Sequence, residues 1–180
     1  MFLYSKIIKI IPIFVFIFCL IHIKTSIGKQ QQVNLGVGNE WELHSESIEI
    51  LSIDEVYEIV NNKSAILIDV WKKDKKPKAV DEKKWFPPKR YTIPGAVWLP
   101  NIGRETLTTD IRKYLENGLK KVTKNDKSKK TVFFCRRGYY SKIAAERAVK
   151  LGYKNVYLFP GTDLWEDAGQ RLVVVKEQNF

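Results

Sequence analysis

The sequence predicts an α/β fold, a single domain with a mainly parallel central sheet and helices on both faces. Three observations lead there. Thr131 to Gly152 reads as strand, tight loop and helix in immediate succession. Ala65 to Val70 is a nearly unbroken apolar run, as expected of a strand covered on both faces. Strand-like and helix-like stretches then alternate along most of the remaining chain.

Taken in order, residues 1–28 read as a signal peptide. Lys6 and Lys9 precede an apolar run from Ile10 to Ile23, and Ser26-Ile27-Gly28 offers a cleavage site after Gly28. The run is short for a spanning helix; an uncleaved anchor is the alternative. Cleavage leaves no stable membrane insertion. Residues 29–47 are polar and aperiodic, an N-terminal extension or linker with at most a short strand near Ser47 to Leu51. The folded domain is expected over 48–175.

Ser52-Ile53-Asp54-Glu55 is a capping-box pattern that opens a helix to about Asn61. The strand Ala65 to Val70 follows. Residues 71–92 form a basic insertion loop: Trp71 to Arg90 holds nine Lys or Arg against three acidic residues, with Pro77, Pro87 and Pro88. Lys72 to Lys84 suits a solvated loop, whereas W-F-P-P-K-R (Trp85 to Arg90) suggests a packed, rigid lid or partner surface. Ala96 to Leu99 reads as a short strand. Thr108 or Thr109 caps a helix running to about Leu119, and Asn125 to Lys130 turns into the strand Thr131 to Phe134. From Ser141, apolar residues at Ile143, Ala144, Ala148 and Leu151 have helical spacing, with Gly152 at the C-terminal stop. Asn155 to Phe159 is the last clear strand and Thr162 to Ala168 a short helix.

Composition narrows the function. With 180 residues and 44% apolar content, the chain can bury a real core. The formal charge is +11, and the acid-free first 28 residues hold three of those charges. No nucleic-acid signature accompanies the basicity, so small anions or an acidic partner protein are the simpler targets. Removal of Cys19 with the signal leaves Cys135 alone, which excludes an intramolecular disulfide and makes an unused exposed thiol a liability.

Cys135 ends the predicted central strand, and only Arg136 to Tyr140 separate it from the helix. Such a loop aims backbone N–H groups and the positive end of the helix dipole at whatever the sulfur carries. Arg136 and Arg137 are adjacent and Gly138 relaxes the backbone. The setting favours a thiolate nucleophile, the form that attacks sulfur. A buried, inert cysteine at a strand end is the plainer reading, and the loop chemistry outweighs it. Asp69, near the end of its strand, either pairs with loop donors or faces the site.

C-R-R-G-Y-Y-S, then A-A-E-R-A, L-G-Y-K-N-V-Y and F-P-G, resembles the active-site region of rhodanese-like sulfurtransferases. I-L-I-D-V (Ile66 to Val70) and I-P-G-A (Ile93 to Ala96) match two further signatures, so the resemblance covers roughly Ser52 to Leu172. It implies a rhodanese-like fold and Cys135 as catalytic nucleophile. Arg136, Arg137, Gly138, Tyr139, Tyr140 and Ser141 would form the substrate- and persulfide-binding loop, with Asp69 in support. The intermediate would be a covalent persulfide on Cys135, without metal or other cofactor. A small anionic sulfur donor and a thiol acceptor would be the partners, with no nucleic acid.

W-F-P-P-K-R, I-P-G-A-V-W-L-P-N-I-G and P-G-T-D-L-W-E-D-A-G are similar to one branch of that family. These are exported proteins named for a CxxCW motif and associated with pyrroloquinoline quinone-dependent catabolism. The branch implies a periplasmic location and a quinoprotein dehydrogenase as partner. Here Gly138 stands at the second Cys of the motif and Tyr139 at its Trp. The chain also departs from ordinary rhodaneses, with Trp71 and Tyr140 where Arg is usual and Thr92 where His is usual. Loss of the loop Arg at Tyr140 weakens the expected hold on an anionic donor such as thiosulfate. Related Cys-based phosphatases need Arg six positions after the nucleophile, and Ser141 occupies that place. Two readings remain: a sulfurtransferase or persulfide carrier, and a non-catalytic binding module of the same fold. In the second, Trp85, Trp98 and Trp165 are candidate contacts, unless they belong to the core.

Overall fold

A computed structural model describes residues 48–179. The predicted signal peptide and linker lie outside the described residues. Ten elements follow one another: α1 Ile53–Asn62, β1 Ile66–Asp69, β2 Arg90–Thr92, β3 Val97–Trp98, α2 Thr109–Thr123, β4 Thr131–Cys135, α3 Tyr139–Lys150, β5 Val156–Gly161, α4 Thr162–Asp167 and β6 Val173–Val175. The main sheet has the order β3-β1-β4-β5 and every pairing in it is parallel. At one edge Ile50 bridges to Leu158, and at the other Glu177 bridges to Trp98. The α/β expectation holds.

Alternation along the two central strands creates two cores. Ile68 and Val70, with Phe133 and Cys135, pack against Leu115 and Leu119 of α2 and Ala144, Ala145 and Ala148 of α3. Leu67, Val132 and Phe134 face the other way, onto Val56 and Ile59 of α1 and Trp165 of α4. All five residues of β4 are buried, because neighbouring strands flank it and helices cover both its faces. The small alanines of α3 let that helix sit close to the sheet.

Helix ends follow their caps. Ser52 and Glu55 complete the capping box of α1, and Lys63 closes it in a left-handed conformation. The Thr108 hydroxyl caps α2, which runs one turn past the expected Leu119. Thr123 Oγ1 bonds back to the Leu119 carbonyl, and a left-handed Lys124 ends the helix; the polar composition of 120–124 concealed that turn. Helix α3 begins two residues before Ser141, and β5 continues through Pro160 to Gly161.

The basic segment is less featureless than a loop. One 3-10 turn occupies Glu82–Lys84, and its last residues form β2, antiparallel to β6. Both strands are three residues long, and Tyr91, Val173 and Val174 remain exposed, so no burial pattern marked them in the sequence. Of the packed lid or partner surface expected of Trp85 to Arg90, no packed lid is formed among the described residues: Trp85 is half-buried and Phe86 is 81% exposed. The chain also stays engaged beyond 175, where Gln178 N–H bonds to the Trp98 carbonyl and Tyr114 Oη to the Gln178 carbonyl.

Asp69 ties the ribbon to the sheet. It is fully buried, and its Oδ2 accepts from Arg90 Nε of β2 at 2.7 Å, while Oδ1 accepts from the Trp71 amide at 2.9 Å. Removing one partner of a buried ion pair leaves the other charge uncompensated. Asp69→Ala should therefore lose about 3–5 kcal/mol of unfolding free energy in a denaturant titration. A loss below about 1 kcal/mol would mean the pair is solvated rather than buried.

Candidate active site

The site is built where β4 stops. Cys135 is 1% exposed and is a free thiol. The chain then reverses through Arg136 and Arg137 to Gly138, whose φ of 98° lies in the left-handed region that favours glycine. That turn brings the Gly138 amide onto Cys135 Sγ as a donor at 3.1 Å. Gly138 also starts α3 without a side-chain cap, so the positive end of the helix dipole points toward the sulfur. The buried Ser141 hydroxyl donates to the Gly138 carbonyl at 2.8 Å, fixing the turn from behind.

Two close approaches hold this loop in place. A Cβ on Gly161, itself at φ 136°, would lie 2.4 Å from the Cys135 carbonyl oxygen and 2.7 Å from that of Arg136. A Cβ on Gly103 would lie 1.9 Å from the Tyr140 carbonyl oxygen. Only glycine fits at either point. Arg147 of α3 secures the segment around Gly103 by donating to the carbonyls of Ile102 and Glu105, at 2.6 and 3.1 Å.

A cavity of about 280 Å³ opens over the sulfur, lined by Trp71, Cys135, Arg136, Arg137, Tyr139 and Tyr140. Much of its wall is aromatic. The Trp71 and Tyr140 rings are 5.7 Å apart, and Tyr139 meets Tyr140 edge-on at 5.4 Å. Tyr139 Oη donates to the Glu105 carboxylate. The cationic side is already engaged: Arg136 Nε and Arg137 Nε both donate to Asp163, at 2.9 and 2.8 Å. Burial pushes the Asp163 carboxyl up, but hydrogen bonds from Arg137 and Arg136, and their charges, outweigh it and hold the group below its usual range.

Of the residues expected from sequence, Cys135, Arg136, Arg137, Tyr139 and Tyr140 line the cavity, while Gly138 and Ser141 shape the loop beneath it. Asp69 does not line it. It holds the Trp71 amide and Arg90, whose guanidinium lies 5.8 Å from the centre of the Trp71 ring. Trp165 is 1% exposed and its indole N–H bonds to the Arg171 carbonyl, so it is core and not a contact residue. Trp98 is half-buried, its indole N–H held by the Trp71 carbonyl.

Trp71, Glu105 and Asp163 were not anticipated as site residues. Trp71 and Asp163 sit just beyond the carboxyl ends of strands, where sites in such sheets gather, and that position was the available signal. Glu105 gave none. A second depression, about 430 Å³, is lined by Tyr91, Glu166, Gly169, Gln170, Arg171 and Leu172 and shares no residue with the Cys135 loop. Among the described residues, no cluster of His, Cys, Asp and Glu could hold a metal ion, and no helix is long and apolar enough to cross a membrane.

Among solved structures, the chain is similar to a thiosulfate sulfurtransferase from Pseudomonas aeruginosa, with 18% identity and a TM-score of 0.50 over 73% of this chain. It spans only 21% of that protein's length. A single-domain sulfurtransferase from Saccharomyces cerevisiae matches at 24% identity and a TM-score of 0.42, over 69% of this chain and 94% of that one. A polysulfide-sulfur transferase from Wolinella succinogenes matches at 20% and 0.44, over 70% and 78%. No curated protein sequence matches. At such identities the structural likeness speaks to fold alone. The family model for the rhodanese-like domain, however, matches residues 52–167, well over half the chain and all of the residues that build the site. The chain belongs to the rhodanese-like domain family.

Proposed function

We propose that this protein is a periplasmic sulfurtransferase or persulfide carrier with Cys135 as its single nucleophile, working in support of quinoprotein alcohol oxidation. The observation that carries the chemistry is the Gly138 amide donating to Cys135 Sγ at 3.1 Å, at the floor of a cavity and at the start of α3. In this reading the Cys135 thiolate attacks the sulfane sulfur of a donor, and the donor's remaining group leaves with the electron pair. The persulfide so formed is an anion in the same cradle of amide and helix dipole. An acceptor thiolate then takes the outer sulfur and regenerates Cys135.

Export rests on the charged-then-apolar start of the chain and on Ser26-Ile27-Gly28. The quinoprotein link rests on the sequence resemblance of the W-F-P-P-K-R, I-P-G-A-V-W-L-P-N-I-G and P-G-T-D-L-W-E-D-A-G segments. The second reading, a non-catalytic binding module for a quinoprotein dehydrogenase, draws support from Phe86, 81% exposed beside the half-buried Trp85 in a lysine-rich setting. Exposed apolar residues of that size suit a protein contact.

Intact-mass measurement separates the two. After treatment with a sulfane-sulfur donor, the protein should gain about 32 Da, one sulfur atom transferred by thiolate attack. Cyanide should remove the adduct, and Cys135→Ser should never acquire it. A Cys135 that no donor modifies would falsify the catalytic reading and leave the binding module. For export, N-terminal sequencing of protein from its native host should give Lys29 or a close neighbour. A start at Met1 with retention in the membrane fraction would mean an anchor instead.

A further inference from the structure

The two loop arginines are the obvious groups to receive an anionic donor, yet their geometry serves another partner. Arg136 and Arg137 both point Nε at one carboxylate, Asp163. The Asp163 amide in turn donates to the Arg136 carbonyl at 3.2 Å. Asp163 is therefore fixed to the loop by backbone as well as side chain. Its carboxylate cancels one of the two positive charges, and a second carboxylate, Glu105, accepts from Tyr139 of the cavity wall. Near the Trp71 ring lie two further cations, Lys72 with Nζ 5.6 Å and Arg90 with its guanidinium 5.8 Å from the ring centre, and Arg90 is paired with Asp69. Tyr140 adds no cation where the loop curves into α3.

The cavity is shaped for something larger than a five-atom anion. Its volume of about 280 Å³ approaches the lower end of small-molecule sites, roughly 300 Å³. Trp71, Tyr139 and Tyr140 offer ring faces and edges on which an apolar or aromatic body packs.

We infer that Asp163 sets donor specificity by holding both loop guanidiniums, and that the donor is an organic persulfide with an apolar or aromatic body rather than a small inorganic dianion. This rests on the sulfurtransferase reading above. In the transfer, the Cys135 thiolate attacks the outer sulfur of R–S–SH. The bond from Cys135 Sγ to that sulfur forms, the R–S to S bond breaks, and R–S⁻ leaves with the electron pair. The proton on the transferred sulfur passes to the departing R–S⁻, leaving the persulfide anion on Cys135, and no oxidant or reductant is consumed. Asp163 touches no reacting atom and acts as a positioning residue through the arginines.

The test compares thiosulfate with benzyl persulfide as donors. The unmodified protein should favour benzyl persulfide in kcat/KM by at least about tenfold, the scale of a well-packed aromatic contact. Asp163→Asn should raise the thiosulfate-to-benzyl-persulfide ratio roughly fivefold through the thiosulfate KM, the size of an exposed charge interaction. Asp163→Glu should return the ratio toward its original value, which a merely structural role would not. Preference for thiosulfate in the unmodified protein, or an unchanged or lowered ratio in Asp163→Asn, overturns the inference. Should Asp163→Asn fail to fold, Asp163→Ser carries the same comparison. Thiosulfate titrated onto Cys135→Ser, with and without Asp163→Asn, reads the electrostatic part without turnover. Tighter association in the double variant supports the hold of Asp163 on the arginines even if Cys135 carries no sulfur, and equal or weaker association overturns it.

Discussion

Everything around the site depends on the burial of β4. A strand covered on both faces and flanked at both edges must place its last side chain with little freedom, and Cys135 is that side chain. The chain then has three residues in which to reverse and begin α3, which requires the left-handed Gly138. From that turn follows the amide-to-sulfur contact at 3.1 Å. The same compactness brings two neighbouring backbones so near that Gly103 and Gly161 admit no Cβ. The nucleophile's position is thus set by main chain and packing. It does not depend on the exposed arginines beside it.

A second constraint, farther from the sulfur, shapes the cavity wall. Asp69 ends β1 fully buried, and such a carboxylate must find donors. It takes the Trp71 amide on one oxygen and Arg90 on the other. Arg90 lies over the Trp71 ring, and the Trp71 carbonyl holds the Trp98 indole. One buried charge therefore orients the aromatic residue that faces Tyr140, and anchors the β2–β6 ribbon as well. The pairing is incomplete: among the described residues Arg90 Nη2 and Thr92 Oγ1 are buried without hydrogen-bond partners, so the Asp69 interaction bears most of the cost of burying that guanidinium.

Much of this was legible in the sequence, and the reasons are local. Capping at Ser52 and Thr108, the apolar run of β1, and the strand-loop-helix at Cys135 are each written in consecutive residues, so pattern and structure agree. The β2–β6 ribbon was not legible because its pairing joins residues more than eighty positions apart and leaves half its side chains in solvent. Phe86 was open for the opposite reason: an aromatic followed by two prolines suits a packed lid or a partner surface, and among the described residues nothing covers it. Asp69 was open between support and site, and only the placement of Arg90 decides it for support.

The division between local and distant residues also separates two parts of the site. The groups that position the sulfur, Gly138 and Ser141, lie within six residues of Cys135 and form their bonds inside one turn. The side chains over the sulfur come from the same loop and from Trp71 just past β1, and two of their partners come from elsewhere: Glu105 from the segment before α2 and Asp163 from the start of α4. Trp71 and Glu105 meet the loop through side-chain contacts, and Asp163 through its backbone amide as well, so side-chain changes at these positions leave the turn's own hydrogen bonds in place. A nucleophile held by backbone thus permits its surroundings to vary in charge and shape, here toward aromatic rings and arginines that are already paired. The cavity's character then follows from the loop's own side chains together with Trp71, and from Glu105 and Asp163, which hold those side chains from other stretches of the sequence.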